Sequence, residues 1–335
     1  LAAREPDSLV DFMHRSLYAR VIRDKAMGED PDELGRFATS PLRAANLLAG
    51  QEHYRVRHYS PEGGMAPSSS GAMIPTDPLS DAGTDLHIAL VCCGGAPSQW
   101  SYPGLLDRIR LLARAGVRVG GISGGPYVLA AAGVLANKRF TVHWEHAPAL
   151  MEAFPDLVPE KSRYVIDASR ITCGGGAAPL DMMHALIAEQ MGEGFARRVS
   201  DWYLHTHVSA ATEGQRASLA ETYGTNNRVL LAVLDKMENT PETPLDRKAM
   251  ARFAGVSERH LNRLFKTQLN STYLKTYLGI RIEYAGRLLR QSAMSVAEVA
   301  MATGFSSASH FSRAFQAMKG YPPSRARQWR SADGS

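Results

Sequence analysis

Residues 245–269 read LDRKAMARFAGVSERHLNRLFKTQL, and residues 296–319 read VAEVAMATGFSSASHFSRAFQAMK. Leu245 to Gly255 has the spacing of a short amphipathic helix. Val256-Ser257 forms a turn, and Ser257 is suited to cap a second helix over Glu258–Leu269. Val296 to Gly304 repeats the arrangement, followed by Phe305-Ser306-Ser307 and a helix running to about Met318. Helix, glycine turn, capped helix is the helix-turn-helix pattern. One copy occurs in many helical bundles. Two copies roughly 50 residues apart in a basic segment are far more specific.

The helical periodicity sorts each second helix into two faces. Leu261, Leu264 and Phe265 form the inner stripe of the first, which puts Arg259, Asn262, Arg263 and Lys266 outside. In the second, Phe311, Ala314 and Phe315 point in, while Ser309, His310, Ser312 and Arg313 point out. Arginine can bond guanine through two donors, asparagine can do the same with adenine, and the major groove admits a helix. The spacing also predicts a helix over Tyr273–Gln291 between the two units. At 1.5 Å per residue it spans roughly 28 Å, close to the ~34 Å between successive major grooves on one face of DNA. Charge agrees with this reading. From residue 226 onward there are 17 Lys+Arg against 8 Asp+Glu, whereas the rest of the chain has 21 against 25. A basic back and an acidic front place a polyanion partner at the back alone. The alternative is a basic bundle that contacts protein.

Around this segment the 335 residues have ordinary globular composition, 44% hydrophobic and 21% charged, enough for two or three domains. No run approaches the ~18 apolar residues of a membrane span. The first residues show neither a secretory nor a transit pattern. Three cysteines, two of them the adjacent Cys92 and Cys93, make a poor disulfide framework and fit a reducing cytoplasm. With Cys173 they lack a ligand pair at zinc spacing, so no metal and no cofactor is assigned.

Residues 85–206 alternate between strand and helix signals. Strands are expected at Asp85–Cys93, Val117–Ile122, Phe140–Trp144 and Tyr164–Thr172. Helices are expected at Pro103–Ala115, from Tyr127, and at Pro179–Gln190. Such alternation predicts an α/β layer with a mostly parallel sheet between helices. Residues 207–225 are polar and aperiodic and read as a linker. Val229, Leu230, Val233, Leu234 and Met237 then open the helical region.

The last ~105 residues resemble the DNA-binding domain of AraC/XylS-type transcription regulators. The resemblance rests on Ala251–Ser257, Leu261–Lys266, Arg281–Ala285, Ala300–Phe305, Ser309–Phe315 and Gly320-Tyr321-Pro322-Pro323. It implies base contacts at Arg259, Asn262, Arg263, Ser309, His310 and Arg313, with Lys266 on phosphate. It also implies a homodimer on double-stranded promoter DNA, contact with RNA polymerase, activation rather than repression, and a place in the bacterial nucleoid.

The front of the chain contains Gly121-Ile122-Ser123-Gly124-Gly125, a G-x-S-x-G turn between a strand and a helix. A serine hydrolase using Ser123 is therefore an alternative. It needs an acid and a histidine from later in the chain, for which Asp167 with His184 and Asp181 with His205 are the ordered choices. Asp181 and His184, three apart at a helix start, read better as a cap and surface pair. The front also resembles the PfpI-like, class I glutamine amidotransferase-like domain that precedes AraC-type domains in GlxA-type regulators. Pro41–Asn46, Tyr59-Ser60-Pro61, Val91–Gly95, Gly121–Gly125, His143-Trp144 and Pro179–Met183 carry that likeness.

It implies a flavodoxin-like sheet between helices. Catalytic relatives have cysteine at the elbow and an acid beside it. Here the positions hold Ser123 and Ser40, so the resemblance implies a ligand sensor without catalysis. Gly94, Gly95, Ser123, Gly124, His143 and Trp144 would line its pocket. A quaternary amine or amino acid would meet the aromatic face of Trp144, with Trp100 and Tyr127 as further candidates, and backbone N–H groups at the glycine turns. Relatives open with an apolar strand, but residues 1–39 read as polar, helical and divergent. The chain begins at Leu1, and the sheet is expected to lack its first strand and the pocket one wall. The resulting organisation is a divergent segment 1–39, a sensor 40–206, a linker 207–225 and a DNA-binding domain 226–330.

Overall fold

The computed structural model describes residues 18–23, 36–67, 73–97, 100 and 104–332. The chain divides into two compact units, residues 1–215 and 216–335.

In the first unit the elements follow in the order β1 (Tyr18–Arg23), α1 (Arg36–Ala49), β2 (Arg55–Ser60), β3 (Gly64–Pro67), β4 (Met73–Pro78), β5 (Ile88–Cys93), α2 (Leu105–Arg114), β6 (Arg118–Ser123), α3 (Gly125–Ala131), α4 (Ala147–Ala153), β7 (Tyr164–Asp167), β8 (Arg170–Cys173), α5 (Ala178–Met191) and α6 (Glu193–Trp202). Among the described residues eight strands form one sheet in the order β3-β4-β2-β1-β5-β6-β8-β7. β5 is buried throughout, and successive residues face opposite layers. Ala89, Val91 and Cys93 join a core with residues of α2, α3 and α4. Ile88, Leu90 and Cys92 join a core with residues of α1, α5 and α6. Helices therefore cover both faces, and Cys92, Cys93 and Cys173 are buried free thiols.

Parts of the expected layout need correction. The sheet is mixed: among the described residues only the β5–β6, β6–β8 and β2–β4 pairs are parallel. Residues 1–39 do supply a strand, because β1 lies in mid-sheet, antiparallel to both β2 and β5. Arg20 and Arg23 interrupt the apolar run that a central strand ordinarily shows, which hid it. The rest of that polar, helical reading falls outside the described residues, apart from the start of α1.

Tyr164–Thr172 is a hairpin, β7 antiparallel to β8, turning through Ala168 at φ 51°. Phe140–Trp144 is not a strand. Thr141 bridges Glu160, while the His143 N–H goes to Ser123 O and the Trp144 N–H to the Gln215 side chain. Those backbone groups are spent on loops rather than on a ladder.

The segment expected as a linker is divided between the units. The Arg163 N–H donates to the carbonyls of Ala211 and Glu213, and Ser162 bridges Gly214, so this stretch lies along the first unit. Beyond it, α7 (Leu219–Tyr223) opens the second unit with a Ser218–Glu221 capping box.

The second unit continues with α8 (Arg228–Asn239), α9 (Arg247–Phe253), α10 (Glu258–Leu269), α11 (Tyr273–Gln291), α12 (Val296–Ala302), α13 (Ala308–Lys319) and α14 (Pro323–Ala332). It holds two cores strung on α11. Tyr273 and Tyr277 from its first half pack with α8, α9 and α10. Ile282, Ala285, Leu288 and Leu289 from its second half pack with α12, α13 and Ala326 of α14.

Candidate functional site

The two predicted helix-turn-helix units form as α9–α10 and α12–α13. Asp246, Ser257, Ser295 and Ser307 cap the four helices, each side-chain oxygen accepting a backbone N–H of the first turn. The turns pass through Gly255 at φ +65° and Gly304 at φ +71°. Leu261 and Phe265 anchor α10, and Phe311 and Phe315 anchor α13, all fully buried. This anchoring fixes which face of each helix remains outside. Arg259, Asn262, Arg263 and Lys266 are exposed on α10, and Ser309, His310 and Arg313 on α13. Ser312, also expected outside, is half-buried.

Local contacts hold some of these side chains in place. Arg263 Nη2 lies 3.4 Å from His260 Nδ1. The His310 ring meets the edge of Phe305 at 5.5 Å. Other arginines of the unit serve the scaffold. Arg247 pairs with Glu258 at 2.8 Å. Arg281 lies 4.1 Å over Phe305 and donates to Thr303 O, and burial lowers its pKa from the usual guanidinium value. Arg281 thereby joins α11 to the turn after α12.

In the first unit, Ser123 closes β6 at φ 59°, a left-handed backbone that a serine adopts only under constraint. It is buried between two glycine turns. A Cβ on Gly175 would sit 2.9 Å from Ser123 Cβ, and one on Gly121 would sit 2.5 Å from the Gly125 and Pro126 backbone. The elbow thus has the tight geometry its sequence predicts. The Gly124 N–H donates to Cys93 O at 2.8 Å, so this expected anion donor is already engaged.

Trp100 covers the elbow. Its indole N–H donates to Gly94 O, and its ring lies where a Cβ on Gly124 would be. Aromatic contacts continue from Trp100 to Tyr127 and His146, from His146 to His143, and from His143 to Trp144, at 5.6–5.8 Å between centroids. Gly94, Gly95, Ser123, Gly124, His143 and Trp144 are therefore gathered around one turn. His146 belongs with them through its contacts with Trp100 and His143. Burial lowers the pKa of His143, with Glu145 opposing.

The ordered hydrolase partners do not converge on Ser123. Among the described residues no hydrogen bond joins the Ser123 hydroxyl to a histidine or an acid. Asp181 and His205 do meet, at 2.8 Å, but Asp181 is fully buried and also accepts from both Arg163 Nε and Nη2 and from the Ser209 N–H. That makes it a structural hub instead of a surface cap. His184 is buried against Ser200 and Glu193. Asp167 accepts from the Arg139 N–H. Ser40 lies on α1 near Tyr203. A cavity of about 10 Å³, the size of one water, lies among Pro41, Leu180, His184, Ile187, Val199, Ser200, Tyr203 and His205, away from the elbow. Among the described residues no cluster of His, Cys, Asp or Glu has the makings of a metal site, and no helix is long and apolar enough to cross a membrane.

An elbow domain joined to paired helix-turn-helix units defines a class of regulatory protein. Residues 38–189 match the DJ-1/PfpI family and residues 250–328 match a helix-turn-helix domain. The chain is 54% identical over 292 residues to the HTH-type transcriptional regulator GlxA of Rhizobium meliloti, covering 87% of this chain and 90% of that protein. It is 37% identical to the HTH-type transcriptional regulator CdhR of Pseudomonas aeruginosa over 87% of this chain and 86% of the relative. A solved AraC family transcriptional regulator from Pseudomonas putida aligns at 23% identity and a TM-score of 0.47, over 50% of this chain and 91% of that one. The chain belongs to the GlxA-type family of HTH transcriptional regulators. It is a DNA-binding regulator of transcription.

Proposed function

We propose that the chain is a metabolite-responsive activator of catabolic genes that works as a homodimer with RNA polymerase in the bacterial cytoplasm. In this reading residues 40–206 sense the effector and 226–330 read DNA. Arg259, Asn262 and Arg263 lie in one major groove, and Ser309, His310 and Arg313 in the next, with Lys266 on phosphate. The observation that carries this reading is the pair of capped helices with exposed polar faces at opposite ends of α11. Arg263→Ala or Arg313→Ala is expected to cost about 1–3 kcal/mol on the selected operator and to relax preference at one base pair. Selection from a random DNA pool measures this. Equal weakening on all sequences would make the residue a phosphate contact.

The effector we propose is a small quaternary amine or amino acid held by Gly94, Gly95, Ser123, Gly124, His143 and Trp144. Support comes from the aromatic rings grouped at the elbow, whose faces attract an ammonium ion. Gly124 then lines the site rather than donating. Titration calorimetry with betaine, carnitine, choline and arginine tests the ligand class, and absence of heat from all four removes it.

A further inference from the structure

Gln215 is the last residue of the first unit, and its peptide bond to Arg216 begins the second. Its side chain turns back into the elbow region. The carboxamide nitrogen lies 2.9 Å from Thr141 Oγ1, Val142 O and Ser162 O, sharing its two protons among three acceptors. The carboxamide oxygen accepts the Trp144 N–H at 2.9 Å. Gly174 makes room for it, because a Cβ there would lie 2.5 Å from Gln215 Cδ.

The segments that hold Gln215 also hold Ser123, at alternating positions. In the 141–144 stretch, Val142 O and the Trp144 N–H face Gln215, and the intervening His143 N–H donates to Ser123 O. In the glycine turn, Gly174 abuts Gln215 and Gly175 abuts Ser123. Two short segments are thus gripped by the elbow from one side and by the end of the domain from the other. A shift of either segment at Ser123 must stretch or release the carboxamide bonds.

We infer that Gln215 is the positioning residue that passes the state of the elbow to the start of the DNA-binding unit. The inference rests on the reading of the elbow as the sensor site. When the elbow is filled, the 141–144 stretch and the glycine turn move, the carboxamide clasp changes, and the freedom of residues 209–215 changes with it. The DNA-binding unit is tethered to the end of that stretch, so its affinity for an operator follows.

A double-mutant cycle on the full-length chain tests this. Ser123→Leu fills the elbow, and Gln215→Met keeps side-chain length while removing the donors and acceptor. The readouts are affinity for a selected operator and deuterium uptake by peptides covering 141–146 and 209–215. With Gln215 intact, Ser123→Leu should change operator affinity about fivefold or more, the range of ordinary allosteric coupling, and alter uptake in 209–215. With Gln215→Met both effects of Ser123→Leu should shrink to within about twofold, well below that coupling range. If Ser123→Leu does not fold, Gly175→Ala takes its place, its methyl pressing on Ser123. Equal effects in both backgrounds, or unchanged uptake in 209–215, overturn the inference. Calorimetric binding of betaine, carnitine, choline or arginine with an additive cycle would remove the clasp and keep the sensor. A coupled cycle with no heat from those four would keep the clasp and remove the ligand class.

Discussion

His143 joins three features of the elbow in one residue. Its N–H donates to Ser123 O, its Nδ1 accepts the Glu145 N–H at 3.3 Å, and its ring touches Trp144 and His146. Burial disfavours the charged ring and lowers its pKa below the ordinary histidine value of about 6.5. Just below that value the unfolded chain binds the proton and the folded chain does not. Stability therefore rises with pH across this window and is lost as pH falls from about 6.5 toward the lowered folded value. Protonation at Nδ1 also removes the acceptor for Glu145. The wild-type chain should accordingly lose melting temperature more steeply between pH 7 and 5 than His143→Gln. Parallel melting curves across that range would show that another group carries the acid sensitivity.

At the scale of elements, the two turns of the reading heads make a matched comparison. Gly255 and Gly304 occupy the same place in each unit, and both have left-handed backbones. A Cβ on Gly255 would meet nothing within 4 Å, whereas one on Gly304 would lie 2.6 Å from Pro244 Cδ and 2.8 Å from Glu242 O. Gly255→Ala should therefore cost only the backbone term, about 1–2 kcal/mol, and Gly304→Ala clearly more. Denaturant unfolding of the two variants gives the difference, and equal losses would refute the close approach at Gly304.

The same elements show what the sequence could reveal. Helices α10, α11 and α13 were legible because their caps, glycines and apolar spacing are local signals. β1 was hidden by its arginines. The β7–β8 hairpin was hidden by a turn through Ala168 that lacks the usual Asn-Gly or Gly pair. The elbow was legible from five residues. Gln215 was not, because its partners lie 53–74 positions away and nothing near it in sequence announces them. Trp100 was named only for its aromatic face, and its cover over Gly124 depends on the fold.

At the scale of the whole molecule, the division of charge separates affinity from specificity. Residues 226–335 have 17 basic against 8 acidic side chains, while the rest of the chain is slightly acidic. DNA binding by the second unit must therefore release counterions, and the logarithm of affinity should fall linearly with the logarithm of salt concentration. Lys266 and Arg263 stand three residues apart on one exposed helix face, so the two are separable by this slope. With Lys266 on phosphate, Lys266→Ala should weaken every sequence alike and reduce the slope by about one. Arg263→Ala, on a base edge, should change the slope less and the sequence preference more. The same complexes should protect two stretches of DNA about 34 Å apart along one face of the duplex, one for each reading helix. A single protected stretch, or a slope unaltered by loss of Lys266, would mean that α10 and α13 do not lie in successive grooves as assigned.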